Sequence, residues 1–235
     1  MSDRVLIVNA DDLGASAGTN AGIVRAHEHG IVTSASLMVD GPAAEAAARY
    51  ARAHASLSVG LHLDLGEWVH RDGQWIVRYE RTPAEREIPR QLERFRALVG
   101  RDPTHLDSHQ HVHREEPAAS LMGELAARLG VPLRGCGAIA YRGDFYGQTG
   151  KGEPLPELVT AAALVAVVER LPAGVTELGC HPGLDTALDS DYRLERLAEV
   201  EALCDPRVRA ALAREEVELR GFAAASHPWG PADPR

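Results

Sequence analysis

One feature constrains the fold more than any other: short apolar, β-rich runs alternate with helical patterns from end to end. RVLIV (4–8), IVTSASLMV (31–39), SVGLHLDL (58–65), HLDSH (105–109), VPLRG (131–135), VTELGC (175–180) and ELRGFAAA (218–225) read as strands. Helical patterns fill 19–29, 42–54, 116–129, 156–171, 191–203 and 206–214. One more is opened by Thr82-Pro83-Ala84-Glu85, with Thr82 as cap and Glu85 completing a capping box, and is closed by Gly100. Such alternation implies a parallel sheet covered by helices, either open or closed into a barrel. In both, reactive groups collect at the carboxyl ends of the strands. No linker or internal repeat interrupts the seven or so β/α units, so residues 1–226 read as one domain and HPWGPADPR (227–235) as a flexible tail.

The ionisable residues fall where that architecture would place a site. Asp11 and Asp12 follow the first strand, His62 falls at the end of the third, Asp107 to His113 span the end of a later one, and His181 comes directly after VTELGC. No GxGxxG turn follows the first strand and no GxxxxGK[ST] loop occurs, which argues against dinucleotide or nucleotide binding. A net charge of -9 argues against nucleic acid or an anionic membrane as partner. The N-terminal MSDRVLIVNADD lacks a signal-peptide core and no run approaches the ~20 apolar residues of a membrane span, so a cytoplasmic location is expected. Three cysteines without CxxC spacing suggest neither a disulfide framework nor a thiolate metal site. Oligomeric state is left open, a homodimer included.

Carboxylate and imidazole donors without thiolates point to a divalent metal with open positions for water and substrate. The candidate ligands are Asp11 or Asp12, His62, and one or two histidines of HLDSHQHVH. On an extended chain His105, Asp107, His109, His111 and His113 share one face but spread over roughly 26 Å at ~3.3 Å per residue. Only neighbours can meet one ion, and His109 ends the strand. His111 and His113 are read as groups that support the metal site or contact substrate. His62-Leu63-Asp64 with His109 also imitates the HxD…H triad of non-haem iron oxygenases, a reading at odds with the continuous β/α alternation. Cys180 and His181 should face opposite sides of their strand, which leaves His181 in the site as an acid or hydrogen-bond donor and Cys180 in packing.

VLIVNADDLG, NAGIVRAHEHGIVTSASLMV, VGLHLDL, PTHLDSHQHVH, DFYG and CHPG occur in this order over residues 4 to 183. Together they resemble the YdjC-like carbohydrate deacetylases, a family that includes chitooligosaccharide and hopanoid-associated deacetylases. The resemblance implies a distorted (β/α) barrel of about seven strands, related to the polysaccharide-deacetylase type. It also implies metal-dependent removal of an N-acetyl group from an amino sugar or short oligosaccharide. By matching position, Asp12, His62 and His109 would hold one divalent ion (Mg or Zn, with Mn or Co as alternatives), Asp11 would be the general base, and a protonated His181 the general acid. The loops at 66–82 and 142–153 would shape the sugar pocket, with His111, His113, Phe145 and Tyr146 as substrate contacts and Trp68 and Trp75 as further stacking platforms. Where the family often has three consecutive histidines, this chain has His109-Gln110-His111, and strand parity turns Gln110 away from the metal. The 65–83 segment is short and carries an Asp72-Gly73 hairpin signal. The alternatives are another metal-dependent barrel hydrolase using His109-Gln110-His111 as an HxH pair, and a non-catalytic sugar-binding relative.

Overall fold

The structure, a computed structural model, describes residues 3–71, 73–79, 82–149, 151–184 and 192–225. In chain order it runs β1 (Arg4–Leu13), α1 (Ala17–Glu28), β2 (Ser34–Leu37), α2 (Ala44–Ala53), β3 (Ser58–Leu63), β4 (Gly66–Arg71), β5 (Gln74–Tyr79), α3 (Ala84–Val99) and β6 (Leu106–Ser108). There follow α4 (Ala118–Leu129), β7 (Ala140–Arg142), α5 (Ala161–Glu169), β8 (Gly174–Cys180), α6 (Arg193–Leu203), α7 (Pro206–Arg214) and β9 (Glu218–Leu219). The main sheet is parallel throughout, in the order β6-β3-β2-β1-β8-β7, and curls into an incomplete barrel. β8 covers one edge of β1 along Arg4 to Ala10, while β9 and then β2 share the other edge.

β1 is buried on both faces from Val5 onward, as a strand at the centre of a parallel sheet must be, through the apolar run Val5–Val8 and then Asn9, Asp11 and Asp12. The amphipathic helices close over the sheet, α3 through Ile88, Leu92, Phe95 and Val99 at helical spacing. α3 starts at Pro83 without a side-chain cap, so the expected Thr82–Glu85 capping box does not form. Asp72-Gly73 does mark a hairpin: β4 and β5 pair antiparallel up to Arg71 and Gln74, with Gly73 at φ +81; Asp72 itself lies outside the described residues. The expected strand at 131–135 is a single bridge, Leu106 to Leu133. The expected strand at 218–225 shortens to two residues and then becomes a 3-10 turn at Phe222–Ala225. Phe222 stacks on the buried His105 ring at 3.9 Å, which takes this segment off the sheet edge. That ring lies so close to Gly60 that a Cβ there would come within 2.4 Å of it, so β3 needs glycine at this point. The predicted tail, 227–235, lies outside the described residues.

Candidate active site

Asp11 and Asp12 sit inside β1, at a fault in its register. Asn9 and Ala10 pair with Ser34 and Ala35 of β2, and then Leu13 pairs with Leu37, so three steps on β1 match two on β2. At this bulge Asp12 adopts φ 65, a left-handed conformation that costs of the order of 1–3 kcal/mol away from glycine and that clusters at functional sites. The fault explains how adjacent strand residues both reach the carboxyl-end cavity of about 410 Å³.

Asp12 is buried, and its two oxygens differ. Oδ2 accepts from Arg196 Nη2 at 2.6 Å, whereas Oδ1 accepts no hydrogen bond and lies 3.4 Å from both His62 Nε2 and His109 Nδ1. One ligand atom from each of the three side chains falls within 4.8 Å of the others. An orphaned buried carboxylate oxygen facing two imidazole nitrogens fits a divalent cation with open positions. Burial would push the Asp12 carboxyl up, but the facing imidazoles and Arg196 hold it well below the usual range. His62 is oriented from behind: Nδ1 lies 2.7 Å from Asp107 Oδ1, which leaves Nε2 free for a metal. Burial would lower the His62 pKa, yet Asp107 and the site carboxylates raise it well above its ordinary value.

Asp107 lies behind His62, fully buried. The structure gives it to support, because its carboxylate also accepts from Ser36 Oγ at 2.6 Å and faces Arg134 Nη2 at 2.8 Å. Arg134, fully enclosed, is the hub beneath the site. It grips Asp11 with two nitrogens at 2.6 and 2.7 Å and reaches Glu177 through Nε at 2.7 Å. Despite burial, this pairing lowers the Asp11 pKa, whereas burial raises that of Glu177 to about 7. A guanidinium therefore already neutralises the second carboxylate–imidazole group, Asp11–His62–Asp107.

His181 closes the far side, with Nε2 3.8 Å from Asp11 Oδ2. Tyr146 and Tyr192 stack on each other at 4.4 Å and present edges to the His181 ring. Burial pulls His181 down to about 4 against the pull of Asp11 and Asp12. Cys180 turns away, fully buried, with Sγ toward the Asn9 carbonyl and its thiol pushed well up by burial.

The HLDSHQHVH stretch departs most from expectation. β6 ends at Ser108 and residues His109–Arg114 wind into 3-10 turns, with Gln110 and His111 at φ 51 and 56. Strand parity therefore fails beyond Ser108. Gln110 lines the cavity rather than turning from it, and its side chain accepts from the Trp68 backbone N–H. His111 lines the cavity beside Tyr141, its Nε2 3.3 Å from the hydroxyl, and is outside the metal-capable group, so no HxH pair forms with His109. His113 is corrected from substrate contact to internal support: it is buried, absent from the cavity wall, and bonded to Ser108 Oγ and the Arg134 carbonyl. Phe145 and Tyr146 both reach the wall, Phe145 from an almost wholly buried position. Trp68 and Trp75 do not line it. Asp64 is exposed and outside the donor group, so the oxygenase-like triad is not assembled. Arg134, Tyr141, Tyr192, Arg196 and Glu199 were missed. Only Arg134 carried a signal, as a charge ending an apolar run.

The family model described as YdjC-like protein matches residues 5–214. A carbohydrate deacetylase of Geobacillus stearothermophilus is 36% identical, covering 92% of this chain and 96% of its own. A chitooligosaccharide deacetylase of Serratia marcescens is 34% identical over 94% of this chain and 98% of its own. Among solved structures, one from Enterococcus faecalis V583 superposes with TM-score 0.74 at 24% identity, covering 95% of this chain and 99% of that one. A family 4 carbohydrate esterase of Streptomyces lividans gives TM-score 0.56 at 16% identity over 99% and 100%. These two likenesses concern the fold, an incomplete parallel α/β barrel. With the family match spanning nearly the whole chain, this protein belongs to the YdjC-like family.

Proposed function

We propose that this chain is a metal-dependent carbohydrate deacetylase that hydrolyses the N-acetyl group of an amino sugar or short oligosaccharide. The observation that carries the reading is the orphaned Asp12 Oδ1 facing His62 and His109, with Asp11 and His181 beside it in one cavity. Names of close relatives, carbohydrate and chitooligosaccharide deacetylases, support the substrate class. Asp12, His62 and His109 would hold one divalent cation; Mg, Zn, Mn and Co all suit this donor set. When bound, such an ion polarises a carbonyl and lowers the pKa of water toward ~7.

The remaining work falls to the chain itself. Asp11 Oδ2 takes a proton from the attacking water, and the double Arg134 contact keeps the carboxylate ionised and aimed. His181 Nε2 delivers a proton to the departing nitrogen. The proton accepted at Asp11 passes to His181 across the 3.8 Å between the two groups. The water proton thus ends on the amine, and acetate and a free amino sugar leave. Tyr146 and Phe145 bound the space for the sugar ring, and His111 with Tyr141 offers it polar contacts.

Acetate release from N-acetylglucosamine and its oligomers, with each divalent metal and with chelator, tests the reading. Metal-dependent release is expected. Hydrolysis of phosphate esters without acetate release would replace it with the barrel-phosphoesterase alternative. The cytoplasm is proposed as its location; among the described residues no helix is long and apolar enough to cross a membrane.

A further inference from the structure

His181 lies one residue beyond β8, in the segment His181-Pro182-Gly183-Leu184, where no sheet ladder fixes it. Helix α6 holds it instead. Glu199 Oε2 accepts the His181 backbone N–H, and Arg196 Nη1 donates to the His181 carbonyl at 3.3 Å. Both peptide groups flanking His181 are therefore gripped by side chains three residues apart on one helix face. The Gly183 N–H donates to the Arg196 carbonyl at 3.2 Å. From the other side α1 packs so closely that a Cβ at Gly22 would lie 2.5 Å from Gly183 Cα, and the Leu184 N–H donates to the Gly18 carbonyl at 2.9 Å.

The same two side chains reach the rest of the site. Arg196 Nη2 donates to Asp12 Oδ2, so one guanidinium spans a metal-facing carboxylate and the His181 backbone. Glu199 Oε1 accepts the Tyr192 hydroxyl at 2.6 Å, and that hydroxyl accepts the Gly147 N–H at 2.7 Å. Tyr192 and Tyr146 then flank the His181 ring. Glu199 is wholly buried, lines no part of the cavity and faces no metal-capable group. An enclosed carboxyl group is costly unless its bonds are used. All of its bonds run to the backbone and aromatic frame of His181.

We propose that Glu199 is a positioning residue for the acid: through the His181 N–H and Tyr192 it sets the imidazole at the angle from which the leaving amine is protonated. This rests on the reading of His181 as proton donor in a deacetylase. A group that only places the acid matters for poor leaving groups, which need a proton, and hardly at all for an aryl oxide, which does not.

The test compares the metal-loaded full chain and its Glu199→Ala, Glu199→Gln and His181→Ala variants on N,N'-diacetylchitobiose and on 4-nitrophenyl acetate. Glu199→Ala is expected to lose about 10²-fold in kcat on the amide, the scale of a ~1 Å misplacement, with KM little changed. Its ester hydrolysis and metal content should stay near wild type. Glu199→Gln keeps a carbonyl oxygen for the His181 N–H and reverses the Tyr192 bond, its amide N–H donating to the hydroxyl that donates in the wild type, and should recover part of the loss. Equal falls on amide and ester, loss of metal, or no rescue by glutamine would overturn the proposal and leave Glu199 a fold residue. Failure of His181→Ala to discriminate amide from ester would overturn it by removing the acid assignment. A wild-type enzyme that releases no acetate would overturn it by removing the deacetylase reading itself.

Discussion

The two walls of the cavity are built by different means. On one wall His62 is paired across β3 and β6 with Asp107, Asp12 lies in the β1 bulge between the pairs of Ala10 and Leu13, and His109 directly follows Ser108, which pairs with Leu63, so strand ladders frame all three. His181 and its aromatic neighbours stand on a segment and loops held by side-chain bonds from α6. A wall set by ladders resists displacement, and its chemistry fails when a donor atom is removed. A wall set by side chains fails when a remote support is removed, even with every reacting atom in place.

The largest expected effects come from breaking the ladder-built wall at its donors. Asp12→Asn, His62→Ala and His109→Ala should each lose stoichiometric metal by elemental analysis and fall to background acetate release. On the other wall, His181→Ala should keep its metal and lose about 10²–10⁴ in kcat, the scale of one general acid. Next comes the support beneath both. Arg134→Met leaves Asp11, Asp107 and Glu177 buried without their shared cation, and urea unfolding should register about 3–5 kcal/mol of lost stability.

The smallest effect is one of pH on the metal-free protein. His105, His113 and His181, held near 4, and His111, held near 3, all chiefly by burial, are neutral in the fold. Their ordinary value is 6.5, so the unfolded chain binds more protons below it and stability falls as pH drops from 6.5 toward 4. Glu177 and Glu199, raised by burial from 4.5 to about 7 and about 8, act oppositely: the fold keeps their protons, and that stability is lost as pH rises through those values. Four imidazoles outweigh two carboxyls below pH 6.5, and above it the carboxyls and His62, whose raised pKa likewise lets the fold keep its proton, set the decline. A thermal midpoint greatest near pH 6.5 is expected, with a shallower alkaline decline in Glu199→Gln.

The same contrast explains what could be read from the sequence. Strand alternation and strand-end position depend on local pattern, and they placed Asp11, Asp12, His62, His109 and His181 around one cavity. Parity worked only while the chain stayed extended. It failed at Gln110 and His113 because two left-handed residues end β6, and no local signal announced them. Arg196 and Glu199 are two of several charges on an amphipathic helix, and nothing in their spacing separates a side chain buried against His181 from one in solvent. Asp107 was visible as an acid beside a histidine, but its partner is His62, 45 residues earlier, and only the β3–β6 register brings them together.

The central claim is the division of labour between adjacent aspartates at the β1 bulge, Asp12 on the metal and Asp11 on the proton. Metal content and acetate release measured on one preparation of Asp11→Asn test it most directly. The account predicts a full complement of metal with turnover down by about 10²–10⁴-fold. A variant that keeps wild-type turnover, or one that loses its metal, would contradict it.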